Sequence, residues 1–157
     1  MTGMYFEDLS KAGTLIEHSI ARTVTEADNV LFNAITMNQQ PLHLDATFAE
    51  KTEFGQRLVN GLYTMALVVG LTVNDLTSGT IVANLGCESV LHPRPVFHGD
   101  TIRVVTEVLS ARESASKPDR GIVQLKHRGL NQRDETVCEL TRTVMFLKRP
   151  RKEGGSG

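Results

Sequence analysis

The sequence predicts an α+β fold, in which one domain wraps an antiparallel sheet around a long buried helix. Residues 58–73, LVNGLYTMALVVGLTV, are apolar at most positions and nearly all round a helical projection, which is typical of an enclosed helix. After Gly79 the chain changes to four runs rich in Val, Thr and Ile, and their Gly, Pro and Asp boundaries predict strands. Helical segments followed by strands are typical of an α+β domain.

Length and composition fit one domain, which we assign to residues 1–150. The 157 residues are 40% apolar and 22% charged, with a formal net charge of −1. This balance provides no electrostatic basis for binding nucleic acid or an anionic membrane. The first ten residues carry acids and no apolar run, so we expect no signal peptide and a cytoplasmic location. Residues 151–157, RKEGGSG, indicate a disordered tail or an artificial linker.

The first predicted helix begins after Thr25. Thr25 is suited to be its N-cap, and Asp28 three residues later completes a pair that resembles a capping box. Apolar residues then recur at helical spacing, which predicts that one face is buried; they are Ala27, Val30, Leu31, Ala34 and Ile35. Pro41 cannot continue this helix and favours an extended Gln40, so the PLH stretch is predicted to be a loop at the helix end.

Two further helices precede the strands. Asp45 is suited to cap a short helix over ATFAEKTEF, which Gly55 ends. The apolar helix over roughly residues 58–74 follows, and we expect it to be enclosed. Its apolar stretch is shorter than the ~18–20 residues that a membrane span requires.

The strand region consists of residues 80–90, 100–114, 121–131 and 135–149, and the turn around GLNQRDET predicts a hairpin. One sheet with one helix leaves a face and two edges open, so we expect a dimer. Cys87 and Cys138 lie in strand-like runs and form no CxxC pair, which predicts two reduced core thiols. His92 and His98 fit no metal-ligand spacing, so no metal site is predicted.

Four motifs in this order resemble one known family. They are YFEDL, ARTVTEADNVLF, PLHLDATFAEKTEFGQRLVNGLYT and PVFHGDTIRVVTEV. Together, over residues 5–148, they are similar to the MaoC-like branch of the hot-dog fold, the (R)-specific enoyl-CoA hydratases. The resemblance implies a dimer, an acyl-CoA or acyl-carrier thioester as substrate, no further cofactor, and reversible addition of water across an α,β-double bond.

The resemblance also implies site residues. The family's motif is an aspartate, four residues and a histidine, and the matching run here is NQQPLH. His43 takes the position of the histidine and would transfer the proton, since an imidazole titrates near neutrality. Gly61 opens the buried helix, where its N–H would stabilise the thioester oxygen. Residues expected to contact the substrate are Gln40, Pro41, Asn60 and Leu62.

Asn38 departs from the pattern, because the family has an aspartate at this position. An amide can hydrogen-bond but cannot accept the proton. Three accounts remain open: His43 acts alone while Asn38 orients the water; the site only binds thioesters; or the substrate carries its own carboxylate. The third is our preferred hypothesis, with a branched or dicarboxylic C5 acyl group such as itaconyl- or mesaconyl-CoA, since an aspartate would repel that carboxylate.

Two other function classes compete with hydration. A hot-dog protein can be a thioesterase, but such enzymes commonly carry an acid on the long helix, and residues 58–73 contain none. A non-catalytic acyl-CoA-binding protein is the other alternative, suggested by Asn38. Arginines such as Arg57, Arg94 and Arg103 could meet CoA phosphates, although a plain surface role is the simpler expectation for each.

Overall fold

A computed structural model describes residues 2–150, and the predicted tail at 151–157 lies outside the described residues. A short 3₁₀ turn over Phe6–Leu9 opens the chain. The helices are α1 (Glu26–Ile35), α2 (Pro41–Leu44), α3 (Ala46–Glu50) and α4 (Gly61–Thr72), and a π-helical turn over Val73–Thr77 extends α4. The strands are β1 (Leu15–Glu17), β2 (Arg22–Thr23), β3 (Ile81–Leu91), β4 (Thr101–Glu113), β5 (Arg120–Leu130) and β6 (Thr136–Leu147).

The strands form one antiparallel sheet in the order β1-β4-β5-β6-β3, and β2 pairs with β4 beside β1. The four long strands are those that the sequence predicts. The predicted hairpin joins β5 to β6, with Leu130 opposite Thr136. Asp134 takes a positive φ of 59° in this turn, a conformation that Asp tolerates better than most residues.

The core lies between α4 and the sheet. Strands β4, β5 and β6 alternate buried and half-buried residues along most of their length, so one face is fully covered. One apolar cluster includes Phe6, Leu76 and Val108 near the 3₁₀ turn, and a second includes Val68 and Val104. The predicted class, a helix packed on an antiparallel sheet in one domain, is confirmed.

The prediction that α4 is enclosed on all sides is wrong for the single chain. Thr64, Val68 and Leu71 are buried, but a stripe on the opposite side is open, with Leu62 62% and Val73 41% exposed. Ala66 and Gly70 lie on the same stripe. Uniform apolarity shows that a helix can be buried all round, but it does not tell which neighbour supplies the cover.

The predicted buried face of α1 is also wrong. Leu31 and Ile35 are 62% and 71% exposed, whereas Asn29 and Asn33 are fully buried. The apolar residues do share one face of α1, but this face is exposed, and α1 packs on the domain through amide side chains on another face. The N-terminal prediction is confirmed, because Thr25 Oγ1 accepts from the Asp28 N–H and the Asp28 carboxylate accepts from the Thr25 N–H.

Three smaller predictions change. The PLH stretch is a one-turn helix, α2, because Pro41 occupies the first helical position, where its missing N–H costs nothing. Asp45 caps α3 as predicted, but α3 ends at Glu50 and the chain turns again before Gly55. Cys87 is exposed, while Cys138 is buried and has its pKa raised to about 11 by burial.

Candidate active site

A buried network of three amides joins α1 to the start of α4. The Asn33 Nδ2 group donates to the Asn29 backbone and side-chain oxygens at 2.8 and 3.0 Å. Asn60 Nδ2 donates to Asn33 Oδ1 at 2.9 Å, and the Asn60 N–H donates to Asn29 Oδ1 at 3.0 Å. We call Asn29, Asn33 and Asn60 the amide network. It fixes the residue before α4 relative to α1 without burying a charge.

His43 is held by the same part of the fold. Its Nδ1 lies 2.7 Å from the Leu58 carbonyl oxygen, and Asn29 Nδ2 lies 3.2 Å from that oxygen and 3.4 Å from the His43 carbonyl. A carbonyl can only accept, so the proton of neutral His43 is on Nδ1. Nε2 then carries the lone pair, which makes it the atom that can accept a proton.

Gly61 begins α4, as the resemblance implies, whereas the apolar pattern places the start of this helix near residue 58. Asn60 is its N-cap, and Asn60 Oδ1 accepts from the Leu62 N–H at 2.9 Å. Within residues 2–150 the Gly61 N–H makes no hydrogen bond, which leaves a donor at the positive end of the helix dipole. A Cβ at this position would lie 3.2 Å from the His92 ring, so glycine keeps the approach to this N–H open.

A cavity of about 400 Å³ lies against Gly61. Its walls include Leu58 and Gly61 on one side and the segment around His92 and Arg94 on the other. Two contacts hold these sides together: the Val59 N–H donates to the Val96 carbonyl at 2.9 Å, and Leu58 pairs with Phe97 in an isolated bridge. Leu58 therefore links the cavity to His43, because its carbonyl holds the imidazole.

Asn38 is engaged with its own loop. Its Oδ1 accepts from the Gln40 N–H at 3.1 Å, and its backbone N–H donates to the Asn33 carbonyl at 2.9 Å. The side chain thus closes an Asx turn that leads into α2. One lone pair of Oδ1 is used in this way, and the role of Asn38 in catalysis stays a prediction.

The predicted substrate contacts fall in three different settings. Gln40 and Pro41 are exposed at the start of α2, and the Gln40 carbonyl accepts from the His43 N–H at 3.0 Å. Asn60 is buried, and both of its side-chain polar atoms are engaged in the cap and the amide network. Leu62 points to the open stripe of α4. Asn60 therefore has the geometry of a positioning residue.

Sequence reasoning missed Asn29, Asn33, His98 and the cavity role of His92 and Arg94. His98 Nε2 accepts from Asn29 Nδ2 at 3.1 Å, and the pKa of His98 is lowered, first by burial and then by Arg57. The signal for the buried asparagines was available in the sequence. Asn29 and Asn33 are spaced by four and so share one face of α1. This face is opposite to the apolar face that was predicted to be buried.

The described part of the chain contains neither a cluster of metal-binding side chains nor a helix that could span a membrane. No three His, Cys, Asp or Glu side chains among residues 2–150 converge in a way that could hold a metal ion. No helix in that range is long and apolar enough to cross a membrane.

Comparison with known proteins places the chain in a family. The model of the MaoC like domain matches residues 8–130. The mesaconyl-CoA hydratase of Cereibacter sphaeroides is 35% identical over 147 residues, and the β-methylmalyl-CoA dehydratase of Chloroflexus aurantiacus is 32% identical over 147 residues. These alignments cover 94% of this chain, but the chain spans only 42% and 41% of the length of those relatives.

Solved structures agree with this assignment. A MaoC-like dehydratase from Rhodospirillum rubrum has a TM-score of 0.82 and 30% identity, over 94% of this chain and 99% of that one. A Mycobacterium tuberculosis protein described as a double hotdog fold has a TM-score of 0.83 and 26% identity, over 98% of this chain and 47% of that one. The fold is therefore a hot-dog, and the chain belongs to the MaoC-like dehydratase domain family.

Proposed function

We propose that this protein catalyses reversible hydration of an enoyl-CoA thioester to a 3-hydroxyacyl-CoA. The observation that carries the proposal is the fixed tautomer of His43. The Leu58 carbonyl accepts a hydrogen bond from the Nδ1–H group, so Nε2 has a free lone pair that can accept a proton. Leu58 also lines the cavity that Gly61 opens into. A base and an oxyanion donor are thus anchored on one short segment, as acid–base chemistry on a thioester requires.

The reaction needs one base and one donor. His43 Nε2 takes a proton from water while the water oxygen bonds to Cβ. The electron pair of the double bond moves to Cα and the thioester oxygen, where the Gly61 N–H stabilises the enolate. His43 then returns the proton to Cα, so water and the thioester are the only reactants. A preorganised donor such as this N–H contributes about 3–4 kcal/mol to such transition states.

The acyl group we favour carries a second carboxylate. Asn38 places an amide where the family pattern has an acid, so the loop brings no negative charge of its own to that position. The relatives named mesaconyl-CoA hydratase and β-methylmalyl-CoA dehydratase support a branched or dicarboxylic C5 group. His43 would then act without a carboxylate partner from residue 38.

The test is the absorbance of the enoyl thioester when purified protein is mixed with crotonyl-CoA, mesaconyl-CoA or itaconyl-CoA. Crotonyl-CoA and mesaconyl-CoA have a double bond conjugated with the thioester. We expect loss of enoyl absorbance with at least one of these two and no release of free thiol. His43→Ala should slow the change by about a hundred-fold or more while binding persists. Release of free CoA would instead indicate a thioesterase.

A non-catalytic acyl-CoA-binding protein is the second candidate, and Asn38 is the observation that favours it. Binding of all three thioesters with no absorbance change and no free thiol would support that function and contradict the hydratase proposal.

We also propose that the protein is a homodimer joined at the β3 edge. Strand β3 is the free edge of the sheet, and it exposes the apolar residues Ile81, Val82, Leu85 and Leu91. An uncovered apolar edge is a template for pairing. Sedimentation of Leu85→Glu should show a monomer, whereas Leu15→Glu on the opposite edge should remain a dimer. A monomeric wild type would contradict the proposal.

A further inference from the structure

The cavity beside Gly61 has an uneven charge. Of the eleven described residues that line it, Arg94 is the only permanent cation, His92 is the only other titratable group, and none carries a carboxylate. The rest of the wall is largely apolar, with Thr64 as an exception. A small concave site with one cation and no acid favours an anionic ligand, since the apolar walls strengthen the attraction.

Arg94 is presented to the cavity by a stiff segment. It lies between Pro93 and Pro95, which fix their own φ angles and restrict the residue before each of them. The hydrogen bond from the Val59 N–H to the Val96 carbonyl fastens this segment next to the start of α4. The backbone of Arg94 is therefore held close to the start of α4, and its side chain lines the cavity beside Gly61.

The guanidinium also has capacity left to bind. Its contact with protein is a long one, between Nε and the Glu135 Oε1 at 3.6 Å. Asn131 and Arg133 donate to the other carboxylate oxygen of Glu135, Oε2, at 2.9 and 3.0 Å. Within residues 2–150, Nη1 and Nη2 of Arg94 make no hydrogen bond, so the pair of N–H groups that fits a carboxylate is unused.

His92 adds a second polar group to the same wall. Its ring carbon Cε1 and nitrogen Nε2 would both lie 3.2 Å from a Cβ at Gly61, so the imidazole stands directly beside the proposed oxyanion donor. Gly61, His92 and Arg94 line the same cavity, so an acyl group whose thioester oxygen meets the Gly61 N–H can lie there with its other end beside His92 and Arg94. In a butenedioic thioester the second carboxylate is three bonds from the thioester carbon, so both ends are close together.

We propose that Arg94 and His92 are specificity-determining residues that receive a free carboxylate on the acyl group. This inference rests on the proposed function, because it assumes a CoA thioester in the cavity. The same chemistry could instead serve a phosphate of CoA, which every CoA thioester carries. A carboxylated and an uncharged acyl group on the same CoA separate the two sources.

The experiment compares binding of mesaconyl-CoA and crotonyl-CoA by calorimetry, in a His43→Ala background where no turnover interferes. Arg94→Met should weaken mesaconyl-CoA binding about ten- to hundred-fold, the range for a lost hydrogen bond to a charged group, and leave crotonyl-CoA within about two-fold. Arg94→Lys should recover part of the loss. His92→Phe, which keeps a ring against Gly61, should show a smaller loss for mesaconyl-CoA alone.

Arg133→Met is the matched control. Arg133 pairs with the same Glu135 and is about as exposed as Arg94, at 58% against 60%, but it does not line the cavity. It should change neither affinity. An equal loss for both thioesters in Arg94→Met would assign Arg94 to a CoA phosphate, and no loss for either would remove it from the site; both results overturn the inference. Because the experiment measures binding, its result can be distinguished from a lack of turnover by the wild-type protein.

Discussion

Two buried polar regions of this molecule are built from different chemistry. The amide network at the start of α4 consists of side chains that cannot ionise near neutral pH. The second region, which we call the histidine relay, consists of His18, Thr106, His127 and Arg142. Three of its members lie in β4, β5 and β6, and the fourth, His18, follows β1. One region serves the candidate active site and the other crosses the core.

Hydrogen-bond directions in the relay follow from Arg142, which can only donate. Arg142 Nε donates to His127 Nε2 at 2.8 Å, so neutral His127 has its proton on Nδ1 and donates to Thr106 Oγ1 at 2.7 Å. The Thr106 hydroxyl then donates to His18 Nε2 at 2.7 Å. This leaves the His18 proton on Nδ1, which faces the Asp75 carboxylate at 3.6 Å. The relay thus connects a buried cation to a carboxylate through two neutral imidazoles.

The two regions have different roles. The amide network sets the geometry of the site, and the histidine relay contributes mainly to stability. Thr106 lies on β4 between Val104 of one apolar cluster and Val108 of the other, so the relay joins the two clusters. The amide network instead holds Leu58, Asn60 and the His43 loop, where a negative charge is proposed to form on the substrate. Uncharged amides fix that geometry without competing for the charge.

The largest expected effect is on activity at His43. His43→Ala should lower kcat by about 10²–10⁴-fold, the usual contribution of a general acid–base group. It should change the free energy of unfolding by no more than about 1.5 kcal/mol, because His43 is half-buried and loses one side-chain hydrogen bond. Enoyl absorbance and urea unfolding measure the two. If the loss in unfolding free energy equalled the rise in activation free energy, His43 would contribute to stability as much as to activity, and the proposed difference between the two regions would be contradicted.

The next effect is on stability at His127. His127→Leu removes the acceptor of a buried guanidinium, and Arg142 Nη2 already lacks a partner among residues 2–150. Leaving this charge unpaired should destabilise the fold by about 3–5 kcal/mol, measured by urea unfolding. Adding Arg142→Met should restore part of the loss, since it removes the charge. kcat of the folded protein should stay within about three-fold of wild type, and a larger fall would tie the relay to catalysis.

Much of the fold could be predicted because it depends on local pattern. The Thr25 capping box, the Asp45 cap and the four long strands follow from residue type and spacing. The amide network and the relay could not be predicted, because each joins residues far apart in sequence, such as Asn33 with Asn60 and Thr106 with His127. The place of Arg94 in the cavity could not be predicted for the same reason, because it depends on the pairing of residues 58 and 59 with residues 96 and 97.

A smaller effect, on both activity and stability, is expected at Asn33. Asn33→Ala leaves Asn60 Nδ2 without its partner in a buried site and removes one donor from the Asn29 oxygens, of which Oδ1 keeps the Asn60 N–H; this should cost about 1–3 kcal/mol of unfolding free energy. kcat should fall as well, because Asn60 caps the helix that presents the Gly61 N–H. A double-mutant cycle with Asn60→Ala should show coupling of about 0.5–3 kcal/mol. Additive losses would mean that the two amides act independently.

The last expected effect is a slope in stability with pH, smallest for any single histidine, which the relay and His98 should produce near neutrality. Burial lowers the pKa of His127 well below its ordinary 6.5, and Arg142 and His18 lower it further. Burial also lowers the pKa of His18 against the opposing pull of Asp75, and it lowers that of His98. Below pH 6.5 the unfolded chain therefore binds protons that the folded chain does not. The free energy of unfolding should be at its full value above this pH and fall as the pH drops below it.

Each fully titrating histidine contributes up to about 1.4 kcal/mol per pH unit to this slope. Urea unfolding between pH 7.5 and about 5 measures it, a window above the range in which the carboxyls of Asp28 and Asp75 titrate, since their pKa values are lowered from 3.8. The double variant His127→Leu, Arg142→Met should have a shallower slope than wild type, because one buried imidazole is gone. An unchanged slope would mean that His127 does not contribute and that His18 and His98 carry the pH dependence. The pH profile of kcat should not change in this variant, since the amides that hold the His43 loop have no proton to gain or lose in this range.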